Sequence, residues 1–231
     1  MEDDYLWTYE VGNTIKITDE YGYILSGEII QLKSNEKTCR LPVVEIRVHD
    51  INSNLPEGET LPPSVVVKIY DYHFLPKELY TDPITDAIEL CDREAAAYEI
   101  LSGAPEVQNC IAPYGGRYKY KSEVTPEYES ILLASCKGFS PKGLLSRHIA
   151  EKLVETVKTV IRASHRYGIT HGDLEAGNLL VESIEGDGLV ILDWANSCSL
   201  ERYGKAVFDR ECKRDEVALG KLVKELISAQ A

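Results

Sequence analysis

Apolar residues in the first third of the chain come in short runs rich in Ile, Val and Tyr, at residues 14–18, 23–32, 43–48 and 65–70. Runs of β-branched and aromatic residues of this length predict antiparallel strands. Between the last two, residues about 50–63 carry Pro, Gly and Asn in close succession. That composition breaks regular structure and predicts a loop inserted in the sheet. At Asp82-Pro83 the period changes. Ile84, Ile88, Cys91, Ala95, Tyr98 and Leu101 recur at spacings of three and four, the stripe of a helix opened by Pro and stopped before Gly103. Glu94 stands at the edge of that stripe, which suggests a role in the interior.

Residues 129–136 read as another strand, and Lys137-Gly138 with Pro141 to Gly143 punctuate the chain after it, where a hinge is expected. A second helix is predicted over 146–166, with Ile149, Leu153, Val157, Val160 and Ser164 on one face and Gly168 just beyond its end. Residues 178–181 and 189–192 are short apolar runs joined by a turn at Gly186 to Gly188, the pattern of a β-hairpin. A last helix is expected over 215–227. There is no internal repeat and no low-complexity tract.

Composition narrows the function classes. With 231 residues, 44% hydrophobic and 27% charged, the chain can bury a sizeable core. Its formal charge of −13 would repel a phosphate backbone, so no nucleic-acid partner is expected. The start, Met-Glu-Asp-Asp-Tyr, lacks the basic and apolar regions of a signal peptide, and no apolar run suffices to span a bilayer. A soluble cytoplasmic protein without a membrane partner is the expectation. Cys39, Cys91, Cys110, Cys136, Cys198 and Cys212 show no C-x-x-C spacing, which favours free thiols over a zinc site or disulfides.

The chemistry concentrates in His171-Gly-Asp-Leu-Glu-Ala-Gly-Asn178 and Leu192-Asp-Trp-Ala195. Asp173 and Asn178 lie five apart on a loop leading into the hairpin, and Asp193 closes its second strand. Three oxygen-bearing side chains thereby meet at one end of the hairpin. Phosphoryl transfer uses such a set: one carboxylate near the accepting hydroxyl, and oxygen ligands for magnesium on the phosphates. This order and spacing resembles the protein-kinase superfamily. The resemblance implies Asp173 as catalytic base, Asn178 and Asp193 as metal ligands, and ATP and Mg as cofactors. It likewise implies Lys68, in the run 65–69, as the lysine that touches the nucleotide phosphates, with Glu94 as its ion-pair partner. A lysine in an apolar strand also needs such a partner on physical grounds. Gly22 and Gly27 would form the phosphate loop, and Ala134, Ser135 and Cys136 would face the adenine, between walls that include Val67 and Leu180. The implied fold is a two-lobed α+β protein-kinase-like architecture. Its N-lobe, residues 1–136, is an antiparallel sheet with one helix, and its C-lobe, 137–231, is shortened and mostly helical.

Several positions depart from the family pattern. Residues 21–27 hold two glycines instead of a G-x-G-x-x-G, Gly172 stands where regulated members have Arg, and Glu175 where a Lys is usual. Asp193-Trp194-Ala195 replaces D-F-G. In these features the chain is similar to aminoglycoside phosphotransferases and to kinase-like proteins of microbes and fungi. Only 38 residues follow Asp193, without an A-P-E, so little surface is expected for docking peptides. Asp215 resembles the family's aspartate that buttresses the catalytic loop, and could equally cap a terminal helix. His165 and His171 read as structural, and Trp194 as packing. Two function classes stay open: an ATP- and Mg-dependent phosphotransferase acting on a protein or small-molecule hydroxyl, and a pseudokinase that keeps the fold as a binding module.

Overall fold

The β-branched runs of the first half become β1 (Thr14–Asp19), β2 (Ile24–Leu32), β3 (Val43–Asn52) and β4 (Ser64–Ile69). Two further strands, β5 (Tyr114–Tyr120) and β6 (Tyr128–Ala134), follow α1 (Pro83–Ser102) in the chain. This computed structural model describes residues 9–33, 41–52, 62–76, 79–121 and 126–227, with the side chains of 50–52 left aside. The expected loop at about 50–63 therefore falls largely outside the described residues, as does Cys39. The chain divides into two compact units, Met1–Cys91 with Tyr114–Ser135, and Asp92–Pro113 with Cys136–Ala231.

In the first unit the strands pair antiparallel in the order β1-β2-β3-β4-β6-β5, and β5 returns to β1, so the sheet closes into a six-stranded barrel. Closure is made by Ile17 opposite Tyr120, Thr18 opposite Lys119 and Asp19 opposite Tyr118. A closed sheet has no unpaired edge. Inward side chains, among them Ile15, Ile17, Leu25, Ile29, Val44, Ile46, Val65, Val67, Ile69 and Leu132, fill the barrel, with Tyr9, Tyr120 and Tyr128 among them. Gly27 sits where the β2–β3 register shifts, and a Cβ there would lie 2.6 Å from the Arg47 carbonyl oxygen. The bulge thus requires glycine.

This topology overturns the expected fold class. The chain is not a two-lobed protein-kinase-like α+β protein with an open N-lobe sheet: its sheet is a closed antiparallel barrel. The resemblance to the protein-kinase superfamily falls with it, and so do the descriptions kinase and pseudokinase. The physical reason is β5. Its sequence, Tyr-Gly-Gly-Arg-Tyr-Lys-Tyr, mixes glycine and charge with its tyrosines, yet it supplies the pairing on both sides that joins β6 to β1.

The second unit is built on helices. The C-terminal part of α1 belongs to it, with α2 (Arg147–Arg166), α3 (Leu200–Tyr203) and α4 (Lys205–Leu226), and with the two-residue strands β7 (Leu179–Leu180) and β8 (Val190–Ile191). Ser146 caps α2, its hydroxyl accepting from the Ile149 amide, and α2 packs on α4. The last helix begins at Lys205, ten residues before the expected start, so Asp215 lies mid-helix and caps nothing. Its buried stripe runs Phe208, Glu211, Asp215, Leu219, Leu222, Leu226. In α1 the buried residues are Ala87, Leu90 and Cys91 in the first unit and Glu94, Ala95, Ala97, Tyr98 and Leu101 in the second, while Ile84 and Ile88 in the first are 53% and 42% exposed. No helix among the described residues is long and apolar enough to cross a membrane.

Candidate functional site

The second unit gathers the residues of the 171–178 loop and of the hairpin end into one place. After α2, the chain reverses at Gly168 and runs beside residues 198–200: Leu200 N donates to Gly168 O, Thr170 N to Cys198 O, and Cys198 N back to the Thr170 hydroxyl. His171 follows, fully buried. Its Nε2 lies 2.9 Å from the Leu192 carbonyl, which can only accept, so Nε2 carries the proton. Nδ1 then accepts from the Asp173 amide at 3.2 Å. The imidazole thereby ties the loop to the residue before Asp193, and its ring lies against that of Trp194, with centroids 4.6 Å apart. Gly172 has φ 81°, and a Cβ on it would collide with the Asn196 carbonyl, so only glycine lets the two segments approach.

Asp215 supports this loop from α4. Its carboxylate, 1% exposed, accepts from the His171 amide at 2.8 Å, from the Gly172 amide at 2.9 Å and from His165 Nε2 at 2.8 Å. Burial disfavours the charge of Asp215, but His165 and the two amides outweigh it and hold the carboxyl below its ordinary pKa. A second acid on α4, Glu225, accepts from the Ala176 amide at 2.9 Å further along the loop.

On this frame sit the three oxygen-bearing residues. Asn178 donates from Nδ2 to the Asp173 carbonyl at 2.8 Å, which leaves its Oδ1 as the acceptor of the amide. Its own carbonyl accepts from Leu192 N at 2.8 Å, and the next residue is Asp193. Asp193 has φ 61°, the one non-glycine residue among those described with positive φ. A left-handed aspartate costs roughly 1–2 kcal/mol, and such strain gathers at functional positions. The following residues hold it: Trp194 is fully buried, Trp194 N donates to Glu94 Oε1 at 3.2 Å, and the Ser197 hydroxyl donates to the Arg93 carbonyl at 3.1 Å. Asn196 Nδ2 stands 3.5 Å from Asp173 Oδ2. Asn178 thus bonds the Asp173 backbone, and its own carbonyl is bonded by Leu192, the residue before Asp193.

A hard cation suits this set, two carboxylates and an amide oxygen. Among the described residues no three His, Cys, Asp or Glu side chains cluster to hold a metal ion by themselves. Magnesium does not need such a cage, since it keeps several waters and takes one or two carboxylates plus substrate phosphates.

The other predicted residues divide between the units. Glu94 and Cys136 belong to the second unit; Lys68, Gly22, Gly27, Ala134 and Ser135 to the first. Lys68 is buried on β4, its Nζ 5.6 Å from the centroid of the Tyr70 ring. Gly22, at φ 86°, completes a turn in which Asp19 accepts all three successive amides: Tyr21 N and Tyr23 N reach its carboxylate and Gly22 N its carbonyl. Ser135 donates to Glu45 Oε1 at 2.7 Å, which also accepts from the Ser64 hydroxyl, while Lys33 Nζ lies 2.7 Å from Oε2. Desolvation opposes the Glu45 charge, yet these donors keep its pKa below the ordinary value. Asn196 and Glu225 are supports that the sequence reading did not single out, whereas the interior role expected of Glu94 from its place beside the apolar stripe takes the form of its bond from Trp194 N.

No protein-family model matches the sequence, and no curated protein is similar enough to it to count as a relative. The case for function therefore rests on the geometry of the second unit.

Proposed function

We propose that the 171–178 loop and the hairpin end at Asp193 serve magnesium-dependent phosphoryl transfer from ATP to a hydroxyl of a protein or small molecule. The observation that supports this is the strained backbone of Asp193 on the segment that Leu192 N ties to the Asn178 carbonyl. Magnesium, when bound, neutralises charge on the phosphates. Asn178 and Asp193 are its ligands in this reading. Asp173, exposed at the mouth of the loop, orients the accepting hydroxyl and takes its proton. Asn196 holds the Asp173 carboxylate in place. Because Asp215 and His171 fix the loop backbone in advance, little reorganisation is left for the moment of reaction.

A second reading, nucleotide binding without turnover, has one observation in its favour. In the glycine turn at 19–23 the amides of Tyr21, Gly22 and Tyr23 are all bonded to Asp19, so these three do not cradle a phosphate.

The test pairs two variants. Asp193→Asn keeps a residue at ease in left-handed backbone while removing the charge. It should leave thermal stability within a degree or two but cut Mg–ATP affinity, read by calorimetric titration, at least tenfold. Asp173→Ala should keep the affinity and abolish ATP turnover. Equal Mg–ATP affinity in wild type and Asp193→Asn removes the metal assignment. Turnover that survives Asp173→Ala removes the base, and tight binding with no turnover in the wild type selects the second reading.

A further inference from the structure

The outward face of α4 carries a charge opposite to that of the chain. In a sequence with 25 Lys and Arg against 38 Asp and Glu, Arg210, Lys213, Arg214, Lys221 and Lys224 recur at helical spacing on the side away from Phe208, Leu219 and Leu222, and all five are exposed. No acid shares that stripe. The acids of the helix lie on its flanks or its buried side, and each is engaged. Asp209 pairs with Lys205 at 2.8 Å and Glu216 with Arg162 at 2.9 Å, while Asp215 and Glu225 accept from amides of the 171–178 loop. Buried Glu211 lies 2.9 Å from Arg210 Nε and 2.6 Å from Arg214, whose side chains stay 69% and 66% exposed. It can offset only one of those two charges. Lys213, Lys221 and Lys224 make no ion pair among the described residues.

We propose that this face docks an acidic, extended segment of a partner protein. Like charges spaced along one helix face repel each other, and an acidic strand laid on them relieves that repulsion. The partner's shape follows from the geometry. From Arg210 to Lys224 the stripe runs about 21 Å, at roughly 1.5 Å per residue, and an extended peptide covers that length with about six or seven residues. The stripe is one helix wide. A bilayer or a nucleic-acid duplex spreads its charge over a larger area, and so meets the acidic remainder of a chain of formal charge −13 as well as the stripe. A single peptide strand meets the stripe alone. Val217, 59% exposed, is the one large apolar residue on this face, which is too little to anchor a helix in a membrane. The assignment does not depend on phosphoryl transfer, because none of the stripe residues belongs to the oxygen set.

A fluorescein-labelled heptaglutamate is the probe, titrated with the full chain and followed by anisotropy, with labelled heptaglutamine as its neutral counterpart. Heptaglutamate should bind, at least tenfold more tightly than heptaglutamine, and its affinity should fall as salt is raised. Lys213→Glu and Lys221→Glu alter exposed side chains and should fold normally, each weakening the peptide about fivefold or more. Lys121→Glu changes the net charge equally at an exposed lysine of the first unit, and should alter the affinity less than about twofold. Absence of heptaglutamate binding, equal binding of heptaglutamine, or equal weakening by all three variants overturns the proposal. So does tighter binding, lost in Lys213→Glu and Lys221→Glu, to a DNA duplex or to phosphatidylcholine vesicles with about 30% phosphatidylserine, since the face then serves a nucleic acid or a membrane.

Discussion

Replacing Asp215 tests the support of the candidate site more directly than replacing any residue in it. Asp215→Ala leaves two backbone donors, His171 N and Gly172 N, and the His165 Nε2 without their acceptor in a place where Asp215 is 1% exposed. A buried donor left unsatisfied costs about 1–3 kcal/mol. Gly172 is only half-buried, so water can relieve part of its share. A loss of roughly 3 kcal/mol follows, a large fraction of the roughly 5–15 kcal/mol that holds an ordinary domain together. Asp215→Asn keeps one acceptor oxygen and should cost about half as much. The acid also gives the effect a pH signature. Its folded pKa is depressed, so its stabilisation is complete above the unfolded value, about 3.9, and disappears as pH falls through the folded one. The gap between wild type and Asp215→Ala should therefore be full at pH 7 and close on acidification below about pH 4. Urea denaturation followed by Trp194 fluorescence in a Trp7→Phe background reads this locally, because the Trp194 ring lies against His171. A gap under about 1 kcal/mol at pH 7, or one that widens between pH 5 and pH 3, would falsify the claim that Asp215 anchors the loop.

Two further substitutions probe the frame of each unit. Gly172→Ala combines the left-handed penalty, about 1 kcal/mol, with a collision against the Asn196 carbonyl, and should lower the midpoint of thermal unfolding by several degrees; an unchanged midpoint refutes the close approach. Ile17→Ala removes a fully buried side chain at the strand that closes the barrel, at an expected cost of about 2–5 kcal/mol. Hydrogen exchange should then speed up in both β2 and β5, and a response confined to β2 contradicts closure through β1 and β5.

Strands and helices whose burial alternates simply were legible in the sequence. β1, β2 and β4 fall within a residue or two of their predicted bounds, and α2 with its Ser146 cap runs as the periodicity requires. β5 was not. Its outward positions hold Gly115, Arg117 and Lys119, and its inward ones Tyr114, Gly116, Tyr118 and Tyr120, which gives no apolar face to read. A strand that earns its place by pairing on both edges is invisible to a method that scores side chains. Missing it changed more than one element: without β5 the sheet reads as open, and an open five-strand sheet before a helical region invites the kinase-like architecture that the barrel rules out.

The loop and hairpin that carry Asp173, Asn178 and Asp193 were legible for the opposite reason: these residues are close in sequence, and a two-strand hairpin suffices to set their segments side by side. Their supports come from far along the chain and from helix faces. Glu94 and Asp215 both occupy positions in buried stripes: spacing puts Glu94 at the edge of the α1 stripe, and reading Asp215 as a helix start puts the beginning of α4 ten residues after Lys205. Buried carboxylates are tolerated where donors meet them, and here the donors are the amides of Trp194, His171 and Gly172, in the very segments that carry Asp193 and Asp173. An acid at a stripe position therefore carries information about the loops packed on that helix. In this chain both such acids point to the same loops, and that convergence ties the fold of the second unit to its chemistry.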